Sequence, residues 1–275
     1  MLKKEHLLST IIDRYIGAMP RNIIRDRRAH LMLWHDRLGQ YDMADITSAH
    51  VSHIRDDLKT TLSPATVNRY LATLSHVFNV AIKDWGVAVK NPVSIARKLK
   101  EPRGRTRLLI DDERARLLHF CELVSEELHT LVLLALSTGA RAGELMGLTW
   151  QDIDIGNCPA LTFRHTKNGD VRSVPIAGPA LAKLHSHLRA RPIHGHIFTI
   201  NYHRLFKRAC DLAKLHSFTF HDLRHAAASY LVMHGASLRE VAEILGHRTM
   251  SMVMRYSHLS REHLRGTLER MTASL

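Results

Sequence analysis

Residues 128–145 read LHTLVLLALSTGARAGEL. The run from Leu128 to Ala140 is nearly all hydrocarbon, yet it falls well short of the roughly 20 residues that cross a bilayer. It is read as a helix over 125–138 within a soluble globular protein, ended by Gly139, with Glu144 beginning the next helix. Upstream, Asp111-Asp112-Glu113 put acids in the first turn of a helix expected over 111–121. Downstream the period changes. LTWQDIDI alternates, ALTFRHT follows, and VRSVPI closes a short β-meander with Lys167-Asn168-Gly169-Asp170 as its hairpin tip. Helical spacing returns over 179–190, 201–214, 221–234, 237–245, 249–256 and 260–270.

Before this region the pattern is helical throughout, with amphipathic segments at 6–16, 23–38, 48–60 and 63–85. Thr47-Ser48 and Ser63-Pro64 mark two of the starts, the latter a capping serine followed by proline at the first helical position. Four such helices on short loops bury their apolar faces against one another. Asn91-Pro92 stops the chain, and residues 98–107 are basic, punctuated by Pro and Gly, and poor in apolar side chains. The expected organisation is a helical bundle over 1–97, a linker over 98–107 and a second domain over 108–275. The fold class is mainly α with a small antiparallel β-meander (α+β).

Composition narrows the function. The chain of 275 residues has a formal net charge of +13. The excess is divided, with 17 basic against 10 acidic residues in 1–103 and 22 against 16 in the rest. Two basic halves suit a protein that grips a polyanion from both sides, although a basic solvated surface accounts for charge alone. The N-terminus lacks a signal-peptide pattern, and Cys121, Cys158 and Cys210 are odd in number and far apart. A cytoplasmic protein with no membrane association is expected, without disulfides or a cysteine zinc site. Among 21 histidines, His221 and His225 have the i, i+4 spacing of a metal pair. No acidic third ligand accompanies them, so structural or phosphate-facing histidines are preferred to metal ligands.

Taken singly, the polar residues of the second half have ordinary explanations: Arg141 in a turn, His221 and Arg224 one helical turn apart, His247 at a junction, Tyr256 as a rim residue with its hydroxyl in water. Together they make a phosphoryl-transfer site. Two arginine forks hold the non-bridging oxygens of one phosphate. Histidines donate to it or move a proton, a lysine on a hairpin tip reaches a leaving oxygen, and a tyrosine serves as nucleophile. No cluster of acids to bind magnesium accompanies them, so the cationic side chains must meet the transition-state charge.

In order, TGARAGEL, HTKNGDVRSVPI, HDLRH, LGH and RYSH resemble the signatures of the tyrosine recombinases, the phage integrase family, with Tyr256 nine positions after His247. The match covers about residues 105–275, and the helical first half is similar to that family's core-binding domain. The resemblance implies a site-specific DNA recombinase that acts without metal or cofactor through a 3′-phosphotyrosyl intermediate and a Holliday junction. Carried over by position, Arg141 and Arg224 clamp the scissile phosphate. His221 bonds that phosphate and accepts the tyrosine proton, His247 is a further phosphate contact, and Lys167 is the general acid toward the departing 5′ oxygen. Tyr256 attacks and leaves a free 5′ hydroxyl. Glu144 supports the scaffold, and His225 is weighed between a packing role and a part in the site.

The implied partners are double-stranded recombination sites and three further copies of the chain in a homotetramer, with accessory DNA-bending or directionality proteins weighed as additions. The last helix, with Leu259, Leu264, Leu268 and Met271, is read as packing either on its own domain or on a neighbour. Many phage integrases carry an extra N-terminal arm-binding domain, and this chain begins almost directly with the core-binding helices. The alternatives are an Xer-type dimer-resolution recombinase and, ranked lower, a type IB topoisomerase-like enzyme or a DNA-binding regulator on the same scaffold.

Overall fold

A computed structural model describes residues 6–102, 107–164, 170–189, 195–260, 269 and 271–273. The chain divides into two compact units, Met1–Gly104 and Arg105–Leu275.

The first unit holds α1 (Leu8–Ala18), α2 (Arg21–Leu38), α3 (Ser48–Lys59) and α4 (Pro64–Lys83). Their starts follow the capping residues. The Ser63 hydroxyl accepts from Thr66 N–H at 3.3 Å, with Pro64 next in line. At α3, Thr47 Oγ1 accepts from His50 N–H at 3.4 Å and His50 Nδ1 accepts from Thr47 N–H at 3.2 Å. A histidine thus does the work usually given to Glu or Gln in a capping box. Tyr15, Trp34 and Phe78 are fully enclosed, and the Trp34 indole N–H donates to the Tyr70 carbonyl at 2.9 Å, so the polar handle of the largest core residue is satisfied. From within α4, buried Asn68 exchanges two 2.9 Å hydrogen bonds with the Leu99 backbone and donates to Glu101 at 2.7 Å. The front of the basic 98–107 segment is therefore fastened to α4.

The second unit contains α5 (Asp111–Val124), α6 (Glu126–Thr138), α7 (Ala142–Met146), α8 (Gly178–Arg189), α9 (Tyr202–Leu212), α10 (Phe220–Met233) and α11 (Leu238–Leu245). Between α7 and α8 lies an antiparallel sheet in the order β1-β2-β3, with β1 at Ile153–Asp154, β2 at Ala160–Phe163 and β3 at Arg172–Pro175. Its register sets Leu161 opposite both Ile153 and Val174, and Phe163 opposite Arg172. The apolar run is the central element: α6 packs against α5, α7, α8, α9 and α10, and Leu128, Leu131, Val132, Leu134 and Ala135 have no exposed surface. A helix apolar all round belongs in such a place. No helix among the described residues is long and apolar enough to cross a membrane.

Two local expectations are corrected. The alternation of LTWQDIDI yields a strand of only two residues, because Trp150–Asp152 forms a 3-10 turn. Asp152 closes that turn by accepting from both the N–H and the hydroxyl of Thr149, at 2.9 and 2.7 Å. The helix expected over 249–256 is instead two 3-10 segments, Met250–Met252 and Met254–Ser260. Their buried anchors, Val253 and Tyr256, are three residues apart, the interval at which 3-10 geometry stacks side chains. The hairpin tip 167–169 and most of the expected helix over 260–270 lie outside the described residues.

Candidate active site

Arg141 enters the site from the turn between α6 and α7. Gly139 makes that turn with φ +61°, and a Cβ there would lie 2.2 Å from Leu245 Cδ2, so only glycine fits. Three residues on, the buried Glu144 carboxylate accepts from Arg141 N–H and Arg141 Nη1, each at 2.8 Å. The same carboxylate takes the Arg172 fork in bidentate fashion, at 3.0 and 2.9 Å. Burial alone would raise the Glu144 pKa, but hydrogen bonds from Arg172 and then Arg141 outweigh it and hold the carboxyl below its ordinary value. Arg172 also lies 4.7 Å over the Phe163 ring across the β2–β3 pair, and it presses against Gly246. One buried anion thus ties α7 to β3 and keeps Arg141 in place.

Arg224 is 4% exposed, an arrangement explained by two helix ends. Its Nη1 donates to the Gly139 carbonyl, which caps α6, at 2.8 Å, and its Nη2 donates to Leu245, the last residue of α11, at 2.6 Å. Carbonyls at helix C-termini lack intrahelical partners and attract cations, so the guanidinium is fixed from behind by groups that need it. Burial, followed by the nearby Arg141 charge, pushes its pKa down to about 10, which leaves it cationic at neutral pH.

Three histidines complete the wall. His221 and His225 stand one turn apart on α10 with ring centroids 5.1 Å apart in an edge-on arrangement. His247 follows Gly246, whose φ of +65° ends α11, and its buried Nδ1 has no hydrogen-bond partner among the described residues. Burial and the charges of Arg224, Arg141 and Arg255 hold His247 at about 4. His221 is exposed at the rim, yet enough protein surrounds it that desolvation, and then Arg224, lowers its pKa. His225 is lowered by burial and then by His221.

Tyr256 is 1% exposed, with its ring in a small cluster formed by Ala228 and Val232 of α10, Val241 and Leu245 of α11, and Val253. Its hydroxyl meets His225 Nδ1 at 2.5 Å. Burial raises its pKa, so it is a neutral phenol at physiological pH. These side chains surround a cavity of about 460 Å³ whose walls include Arg141, Arg224, Arg248, Arg255, the three histidines and Tyr256, with Met252 at the edge. No acid lines it. Such a space takes a small anion with oxygens facing several directions, and it sets a phenol beside that anion. Among the described residues no group of three or more His, Cys, Asp or Glu is placed to hold a metal ion.

The family model for the phage integrase family matches residues 107–263. The chain belongs to the phage integrase family. This integrase-family chain is 32% identical to the shufflon-specific DNA recombinase of Escherichia coli over 263 residues, covering 94% of this chain and 64% of that protein. It is 28% identical to the tyrosine recombinase XerC of Xanthomonas campestris pv. campestris (strain B100), covering 92% of this chain and 82% of XerC. The Tn1549 transposon integrase in complex with circular intermediate DNA has the same fold, with TM-score 0.77, 20% identity, and coverage of 97% of this chain and 99% of that one. A lambda integrase tetramer bound to a Holliday junction superposes with TM-score 0.70 and 22% identity over 88% of this chain and 77% of that one.

Of the site residues expected from sequence, Arg141, His221, Arg224, His247 and Tyr256 line one cavity, and Lys167 lies outside the described residues. Asp170, three positions after Lys167, pairs with Arg248, the neighbour of His247, at 3.0 Å. His225, weighed between packing and a part in the site, is hydrogen-bonded to the tyrosine hydroxyl. The signal was the same i, i+4 spacing from His221 that was weighed for a metal pair. Arg172 stands within VRSVPI with no local sign of a role; an arginine between β-forming residues, facing a glutamate from another motif, is a pairing that sequence alone leaves unmatched.

Proposed function

We propose that this chain is a site-specific DNA recombinase that cleaves and rejoins strands through a 3′-phosphotyrosyl link on Tyr256. The observation that carries the reading is a buried neutral phenol opening onto an acid-free cavity walled by arginine and histidine. Arg141 and Arg224 neutralise the non-bridging oxygens of the scissile phosphate, and each is held rigid beforehand, by Glu144 and by two helix ends. His221 and His247 donate to the same phosphate once its charge has offset the burial and the neighbouring arginines that hold their pKa values down. Lys167, assigned from its place in HTKNGDVRSVPI, protonates the departing 5′ oxygen. A phosphodiester is exchanged for a phosphotyrosyl ester of similar energy, so cleavage is reversible and uses no nucleotide cofactor. A 5′ hydroxyl from a second duplex then completes strand exchange.

Two duplexes require four such sites, so the working form is a homotetramer on paired DNA sites, with the first unit supplying further phosphate contacts. The protein is placed in the cytoplasm with its DNA. Integration is the task we favour; the XerC likeness supports dimer resolution by the same chemistry as the second reading. Recombination assays with sites on separate molecules or on one molecule distinguish the two.

The primary test is a nicked suicide duplex carrying the target site. It should trap a protein–DNA adduct that survives SDS, forms in EDTA and is absent in Tyr256→Phe. An adduct persisting in Tyr256→Phe would falsify the nucleophile. For Lys167→Ala, cleavage is lost on ordinary DNA and restored when sulfur replaces the leaving oxygen; failure of that restoration removes Lys167 from the general-acid role.

A further inference from the structure

We propose that His225 is the base that removes the proton from Tyr256 as the phosphotyrosyl bond forms. The inference rests on the reading of Tyr256 as nucleophile and deepens it.

The geometry points to His225 directly. Among the described residues, the side chain hydrogen-bonded to the Tyr256 hydroxyl is His225, at 2.5 Å through Nδ1, with ring centroids 6.1 Å apart and planes inclined at 45°. The tyrosine is 1% exposed, so bulk water does not take the proton in its place. A base must lie within hydrogen-bond reach of the atom whose proton it takes, about 2.6–3.2 Å between heavy atoms, and this pair is already closer than that before substrate arrives. His221 sits one turn away on the exposed rim, a position that suits a donor to phosphate.

The charges around the pair explain why the step waits for DNA. Facing His225 are His221, Asp222 and Arg224 from its own helix, Arg255 and Tyr256 from the following segment, and His247 after α11. Burial and the cations, which outnumber the one acid, disfavour an imidazolium, and a neutral ring with its proton on Nε2 presents Nδ1 as the acceptor. A bound phosphodiester brings the compensating negative charge. The Tyr256 O–H bond then breaks, its proton passes to Nδ1 to give imidazolium, the phenolate oxygen forms its bond to phosphorus, and the P–O5′ bond breaks with the 5′ oxygen protonated by the general acid. In religation each step reverses, and His225 returns the proton to Tyr256.

Single-turnover adduct formation on a nicked suicide duplex across pH 5–9 tests this. For the wild type, the rate rises through an acidic limb to a plateau. His225→Gln keeps a hydrogen-bond acceptor without a titrating base; it should form adduct about 10²-fold more slowly, lose the acidic limb and bind the duplex unchanged. His225→Gly should recover part of the rate with added imidazole. His221→Gln should be slowed with the limb retained. Wild-type rates in His225→Gln, or a limb that vanishes in His221→Gln and persists in His225→Gln, would overturn the assignment. Tyr256→Phe run in parallel separates the two questions: adduct in that variant removes the nucleophile itself, whereas its absence together with an unimpaired His225→Gln removes only the base.

Discussion

Arg224 donates to the Gly139 and Leu245 carbonyls at the ends of α6 and α11 while facing the cavity, so the proposed mechanism gives it a chemical task beside its structural one. Lysine offers one point charge where two carbonyls and a phosphate need separate N–H groups. In Arg224→Lys a buried carbonyl is left unpaired, at about 1–3 kcal/mol. Calorimetry should therefore show a Tm lower by about 3–9 °C, and cleavage should fall on the order of 10²–10³-fold with a much smaller loss of DNA affinity. Equal losses in rate and affinity would assign the residue to binding. His247 gives a second expectation. Its folded pKa of about 4 lies below the unfolded value near 6.5, so the unfolded chain binds more protons between them. That contribution to stability is whole above about pH 6.5 and is lost as pH falls toward 4. Urea midpoints for the DNA-free protein should drop between pH 7 and pH 5, and drop less in His247→Gln.

Glu144 and Arg172 join α7 to β3 through a pair that is almost wholly enclosed, with side-chain exposures of 3% and 10%. Removing one member of such a pair costs about 3–5 kcal/mol because the other charge stays buried. Arg172→Met leaves Glu144 with Arg141 as its remaining partner, so the free energy of unfolding should fall by no more than that amount, read as a lower urea midpoint, and cleavage should slow as well, since Arg141 loses the fixed geometry of its carboxylate partner; an unchanged midpoint would show the pair to be dispensable. Helices in both units were readable because their signals are local: Ser63-Pro64, Thr47 and the acids at 111–113 each act within one turn. Trp150–Asp152 and 250–260 were misread for the converse reason. There an aspartate capping Thr149, and burial of only Val253 and Tyr256 among exposed methionines, override the period of the side chains. Five residues singled out by ordered motifs line one cavity. The pairings of His225 and Arg172 were not legible, because their partners, Tyr256 and Glu144, lie 31 and 28 positions away and meet them only in the fold.

Both units are basic, and that too was visible in the sequence, but charge there states affinity without a partner. If the partner is duplex DNA, the logarithm of the binding constant falls linearly with the logarithm of salt concentration, with a slope of about −0.9 per phosphate neutralised. Isolated residues 105–275 should show a shallower slope than the full chain, because the first unit contributes phosphate contacts of its own; equal slopes would contradict that role. The central claim is that Tyr256 becomes esterified to DNA. Tandem mass spectrometry of the adduct trapped on a nicked suicide duplex tests it most directly. The account predicts a 3′-phosphonucleotide on Tyr256, within the tryptic peptide 256–261. A nucleotide on any other side chain, or an SDS-stable adduct undiminished in Tyr256→Phe, would contradict it.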